Sequence, residues 1–257
     1  MVFHQPHNSM GNYNYNARVY TEEIWQHHFH KNLELICVLS GEVRCEVTNR
    51  KYLLKSGDFG LCLPYDVHAY TPGKNTKYYV CVFSADYVRL FEKQIKGKNA
   101  NGFVFTPSES IKDYLYTNLI NSESPSVYTL KSCLYAVCGE FLKNVTLSDN
   151  KDRKQSIIAI TEYLEKNHTH DIGLKNIAEL LGYDYNYVSR YFHSVFDMSF
   201  AELLGAYRLE TAIKLMDETD KKIADIAFES GFGSVRTFNY TFKKHFGISP
   251  KEYRKNT

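Results

Sequence analysis

Three histidines and one glutamate in the first third of the chain could hold a divalent metal. His28-x-His30 is followed after three residues by Glu34, six more lead to Gly41, and His68 comes four residues after Pro64. Imidazoles and a carboxylate on neighbouring strands would offer three nitrogens and one oxygen to a cation. A second set lies toward the other end: Asn186, Ser189, Arg190 and His193, then Arg236, Asn239, Tyr240 and Lys243. Arg can bond guanine bidentately and Asn adenine, while Lys and hydroxyl groups suit backbone phosphates. The first set suggests coordination or pocket lining, the second nucleic-acid recognition.

The elements that must position these residues differ between the two halves. A chain of 257 residues that is 44% apolar can bury one large core or two ordinary ones. The first 17 residues show no clear period and read as a flexible arm. Residues 18 to about 84 read as short strands, among them LELICVL, KYLL, FGLCLP and KYYVCVF. In VRCEVT, Val43, Cys45 and Val47 alternate with Arg44 and Glu46. Short strands separated by turn residues at regular spacing point to a barrel or sandwich.

After about residue 106 the period becomes helical. Ile111, Leu115 and Leu119 lie on one face of a first helix. A second helix over about 127–147 carries Leu130, Leu134, Val137, Phe141 and Leu142, a stripe more apolar than a solvated helix needs. The charged residues 149–154 (DNKDRK) form the expected linker, and everything beyond reads as helix.

Composition narrows the class. No apolar run approaches a membrane span, and the opening MVFHQPHNSM lacks the order of a secretion signal, so a cytoplasmic protein is expected. Six cysteines without CxxC pairing fit buried, reduced thiols. Net charge is only +2, but it is unevenly spread. Over 154–220, six Lys and Arg oppose eleven Asp and Glu; over 221–257, eight oppose three. A basic end suits phosphate contact.

The helical half contains an internal repeat. LKNIAELLGY (174–183) aligns with IADIAFESGF (223–232). Ala178 and Ala227 allow close helix approach, and Gly182 and Gly231 end the first helix of each unit where a left-handed backbone is expected. Asp184 and Ser234 cap the next helix, whose apolar pairs Val188/Phe192 and Phe238/Phe242 face inward. That construction turns the second residue set outward, as a helix entering a major groove requires. A long helix over about 199–217 joins the units.

The last hundred residues, with GFGSVRTFNYTFKKHFGISPKEYR and Arg208 in AYRLETAIKLM, resemble the AraC-type DNA-binding domain. The resemblance implies one recognition helix in each of two successive major grooves of double-stranded DNA, with base-reading roles for Asn186, Ser189, Arg190, Arg236, Asn239 and Tyr240. Tyr240 stands where the family commonly has Arg, which implies that the second unit mainly holds phosphate. The spacing around His28, His30 and Glu34 resembles the first cupin motif, and Pro64 and His68 resemble the second, although Asp66 replaces a usual glycine. Sensor domains of AraC-type regulators resemble cupins and often keep such residues without catalysis.

The expected fold is α+β in two domains: a cupin-like β-barrel with two flanking helices, then an all-α domain of two helix-turn-helix units joined by a long helix. The expected divisions are 1–17 arm, 18–106 sensor barrel, 107–148 helical dimerisation segment, 149–154 linker and 155–257 DNA-binding domain. The resemblance implies a ligand-controlled regulator, an activator contacting RNA polymerase, working as a homodimer with a small-molecule effector such as a sugar. Strands themselves favour aromatics, which make up 15% of the chain. The pocket candidates are His28, His30, Glu34, His68, Tyr70 and Tyr79. The expectation is a binding pocket rather than an enzyme, without cofactor or metal; were a metal present, His28, His30, Glu34 and His68 would bind it. The alternatives are a metal-dependent cupin enzyme fused to a DNA-binding domain, and a ligand-independent regulator.

Overall fold

The protein is represented by a computed structural model that describes residues 3–4, 15–149, 153–196 and 198–256. The chain divides into two units, residues 1–155 and 156–257. In the first unit lie β1 (Phe3–His4), β2 (Tyr15–Thr21), β3 (Trp25–Phe29), β4 (Leu33–Ser40), β5 (Glu42–Val47) and β6 (Arg50–Lys55). They are followed by β7 (Phe59–Cys62), β8 (His68–Pro72), β9 (Lys77–Phe83), α1 (Arg89–Ile95), β10 (Lys98–Ala100) and β11 (Val104–Phe105). α2 (Glu109–Leu115) runs on as a π-helical turn, Tyr116–Ile120, before α3 (Val127–Asn144) and β12 (Leu147–Asp149).

Two five-stranded sheets result, in the orders β1-β3-β8-β5-β6 and β11-β7-β4-β9-β2, with β10 and β12 paired separately. The second sheet is buried on both faces, and this explains its unbroken apolar runs. On β4, Leu33, Leu35 and Cys37 join Tyr79, Cys81 and Phe83 of β9 in a core shared with the helices. The intervening Ile36 and Val38 join Tyr78, Val80 and Val82, together with Val43 and Cys45 of the first sheet, in a second core. Helices, one sheet and then the other form three layers.

α3 begins at Ser126, whose hydroxyl accepts from the Thr129 amide at 3.1 Å, a cap worth about 1 kcal/mol. Its stripe is buried: Leu134, Val137 and Phe141 are fully covered and Leu130 nearly so, all in this unit's own core. Leu142 packs partly against the same core. The stripe expected to face a second subunit is therefore used within the chain. Each such side chain contributes about 1.5–3 kcal/mol, reason enough for its apolar character.

Other differences have local causes. The expected arm is a strand from Tyr15 onward, paired with β9 from Tyr15↔Phe83 to Thr21↔Lys77; Phe3 and His4 pair with His28 and Phe29. The rest of the expected arm, up to residue 14, lies outside the described residues. The seven residues of α1 bury only Phe91 and Ile95, too few to show a helical period. The second helix stops at Asn144, and the next residues form β12, so Asp149 of the expected linker is a strand residue.

The second unit holds α4 (Arg153–Asn167), α5 (Leu174–Leu181), α6 (Tyr185–Phe196), α7 (Phe200–Glu218), α8 (Ile223–Glu229), α9 (Val235–Phe246) and α10 (Pro250–Asn256). Gly182 and Gly231 have φ of +70° and +89°, the left-handed region that glycine enters without steric cost. Ile226, Ala227, Phe232, Phe238 and Phe242 close a core against Leu209, Ala212 and Met216 of α7.

Candidate functional site

The first sheet brings three of the chemistry-bearing residues together. β3 and β8 are antiparallel with His28 opposite His68, His30 follows β3, and Glu34 reaches in from β4 of the other sheet. All four are at most 3% exposed, and one donor atom from each lies within 4.8 Å of every other. Each imidazole is oriented by a main-chain carbonyl: His28 Nδ1 to Gln26 O at 2.8 Å, His30 Nδ1 to Asn32 O at 3.1 Å and His68 Nδ1 to Asp66 O at 2.7 Å. A carbonyl only accepts, so each Nδ1 carries a proton.

Glu34 is the anion among them. Its Oε2 lies 3.0 Å from His30 Nε2, and its Oε1 lies 3.4 Å from His68 Nε2, out of line for a hydrogen bond. Burial pushes the Glu34 carboxyl up, but His68 and His30 outweigh it and hold it well below the usual carboxylate range. Burial opposes charge on His68, yet Cys62 and Glu34 hold its pKa well above the ordinary value. Burial also raises the Cys62 thiol, which leaves Cys62 neutral and Glu34 as the charge that acts. Burial, then His68, push His28 down to about 3.

The two tyrosines of the pocket set part company. Tyr70 joins the cluster, its ring 5.6 Å from that of His68 and its hydroxyl 3.5 Å from Cys62 Sγ. Tyr79 does not: it lies on the helix-facing side, its hydroxyl 3.5 Å from that of Tyr15. Its neighbour Tyr78 faces the inter-sheet core instead, and its hydroxyl donates to the Glu23 carbonyl. Sequence reasoning also missed Trp25, whose ring sits 5.8 Å from that of His28. A groove of about 470 Å³ borders the first sheet, lined by Trp25, Tyr52, Arg44, Glu46, His27 and Thr71 among others. It does not include the buried His/Glu cluster.

In the second unit the two repeats have matching frames. Asp184 Oδ1 accepts from the Tyr187 amide at 2.9 Å, and Ser234 Oγ from the Thr237 amide at 3.1 Å. Val188, Phe192, Phe238 and Phe242 are buried. Asn186 and Arg190 on α6, and Arg236, Asn239, Tyr240 and Lys243 on α9, are exposed, while Ser189 is half-buried. The side chain of His193 lies outside the described residues. Tyr183, Tyr187 and Tyr191 form a ladder beside α6, with centroids 4.8 and 6.1 Å apart. Their spacing of four was the signal available in sequence.

A two-sheet unit with a polar cluster at its heart, followed by paired helix-turn-helix frames, defines a sensor joined to a DNA-binding module. Residues 14–149 match the AraC-like ligand binding domain, and residues 177–256 match a helix-turn-helix domain. The chain belongs to the AraC family of regulators.

Among curated relatives, it is 32% identical over 93 residues to the melibiose operon regulatory protein of Escherichia coli K12, covering 36% of this chain and 31% of that protein. It is 34% identical over 109 residues to the putative regulator YkgA of the same strain, covering 42% and 46%. The chain thus spans a third to a half of the length of these relatives. Apo ToxT of Vibrio cholerae strain SCE256 shares the fold, with a TM-score of 0.60 at 16% identity, covering 95% of this chain and 97% of that one. Unsaturated fatty acid-bound ToxT gives 0.58 at 17% identity, with the same coverage. Among the described residues, no helix is long and apolar enough to cross a membrane.

Proposed function

We propose that this chain is a cytoplasmic transcription regulator that reads double-stranded DNA through α6 and α9 and answers to a small molecule taken by its N-terminal unit. The observation that carries the reading is the pair of matching frames, each turning Arg and Asn outward from a buried Val/Phe or Phe/Phe seam. Asn186, Ser189, Arg190, His193, Arg236 and Asn239 take base-edge roles; Tyr240 and Lys243 hold phosphate. In this reading the protein is an activator that contacts RNA polymerase and acts as a homodimer without catalysis. The α3 face left exposed, with Tyr128 and Tyr135, is the one available for pairing.

The groove beside Trp25 and Tyr52 supports a polar effector such as a sugar, because aromatic faces there meet Arg44, Glu46 and Thr71. The test is selection of genomic fragments by the full-length protein, with footprinting at a stated salt concentration. A bipartite site protected over two successive major grooves is the expected result. Failure of both the full chain and residues 154–257 to select any sequence overturns the reading. A ligand at 100 times its Kd should add about 2.7 kcal/mol to the stability of the N-terminal unit.

A further inference from the structure

The buried cluster of His28, His30, Glu34 and His68 presents a hydrogen-bonding conflict. Each ring spends its Nδ1 proton on a main-chain carbonyl, at 2.7–3.1 Å. A neutral ring has no second proton. The Nε2 lone pairs of His30 and His68 are then turned on the oxygens of Glu34, at 3.0 and 3.4 Å. Lone pair facing carboxylate is repulsive unless a cation lies between them. His68 Nε2 is moreover buried without a hydrogen-bond partner, and orphaned buried donors or acceptors are rare enough to need a cause.

We infer that these four side chains bind one divalent first-row transition-metal ion inside the N-terminal unit. Three imidazole nitrogens and one carboxylate oxygen are a donor set for such ions. With bonds of about 2.0–2.2 Å, donors on opposite sides of a metal lie about 4 Å apart. The 4.8 Å span therefore needs a contraction of under about 1 Å. The orientation that usually takes a second layer of residues is already built, since main-chain carbonyls fix all three tautomers and aim each Nε2 inward. The ion joins β3 and β8 of one sheet to β4 of the other, tying the two sheets at their polar end. This site lies apart from the groove assigned above to the effector and from both DNA-reading helices, so it stands or falls separately from the regulatory reading.

The experiment titrates tag-free, full-length protein, stripped with chelator, with Co(II) as a visible probe, followed by competition with Zn(II). The expected result is one Co(II) per chain, with d–d bands abolished by one equivalent of Zn(II). Glu34→Gln and His28→Gln should each weaken Co(II) binding by at least about tenfold. His27→Gln should leave it unchanged, because His27 pairs with the exposed Glu46 instead. Circular dichroism and DNA binding by the second unit report that each variant is folded. Wild-type protein that is folded and binds DNA but takes up no Co(II) overturns the inference, and means that a second proton bridges the cluster. Stoichiometric uptake that survives unchanged in both the Glu34 and His28 variants overturns it equally.

Discussion

A Cβ added to Gly231 would lie 2.7 Å from the carbonyl oxygen of His168. The same oxygen accepts from Arg208 Nε at 2.7 Å, and Arg208 also donates to the His170 carbonyl at 2.9 Å. One arginine on α7 thus holds the turn after α4 directly against the glycine of the second helix-turn-helix frame. Gly182, its counterpart, has open space beyond its Cβ position. Both glycines have positive φ, which costs another residue about 1–2 kcal/mol. Gly182→Ala should lower the melting temperature of the second unit by roughly 4–8 °C. Gly231→Ala should lower it at least twice as far, because main chain must move as well. Equal shifts for the two variants would mean that the contact with His168 yields freely.

The repeat was legible because glycine, cap and apolar pair each answer to local backbone physics and recur 49 residues apart. The sensor half was less so. KYYVCVF is buried on both faces, so no alternation tells Tyr78 from Tyr79; only pairing with β4 assigns them to opposite cores. The stripe on α3 shows that something covers Leu134, but not whether this is another helix of the same chain or a second copy. The spacing of His28, His30 and Glu34 was visible, whereas the three carbonyls that fix their tautomers depend on turns around Asn32 and Asp66.

Arg190 and Lys243 separate reading from holding. Arg190→Ala should weaken binding to the selected site by about 1–3 kcal/mol and relax preference at one base position. Lys243→Ala should weaken all sequences alike and reduce the salt slope by about one. Competition assays with single-base variants, repeated over a salt series, distinguish the two. Uniform loss across sequences for Arg190→Ala would remove its base-edge role.

Leu134 and Tyr135 are neighbours on α3 with opposite fates, one fully buried and the other 38% exposed. Leu134→Ala should cost the N-terminal unit about 2–5 kcal/mol, read as a shift in its denaturation midpoint. Tyr135→Glu should leave that midpoint nearly unchanged but weaken self-association in sedimentation equilibrium. A variant at Tyr135 that associates normally would exclude this face as the dimer contact.

Glu202 links the start of α7 to α9, and its titration sets an acid limit on the second unit. Its Oε2 accepts from the Ser199 amide at 3.0 Å and the Ser199 hydroxyl at 2.9 Å, while Lys244 Nζ donates to Oε1 at 3.0 Å. The Ser199 amide first, then Lys244, hold the carboxyl down to about 2, against an ordinary 4.5. A folded-state pKa below the unfolded one means the unfolded chain binds the proton more readily. The stabilisation is therefore complete above about pH 4.5 and is lost as pH falls toward 2. The side chain is 38% exposed, so solvent screens the ion pair and the cap contributes most of the effect. Glu202→Ala should cost about 1 kcal/mol near neutral pH. In denaturant melts across this range, the gap between wild type and variant should narrow as the pH drops. A gap that stays constant down to about pH 2 would show that the carboxylate charge plays no part in fixing α7.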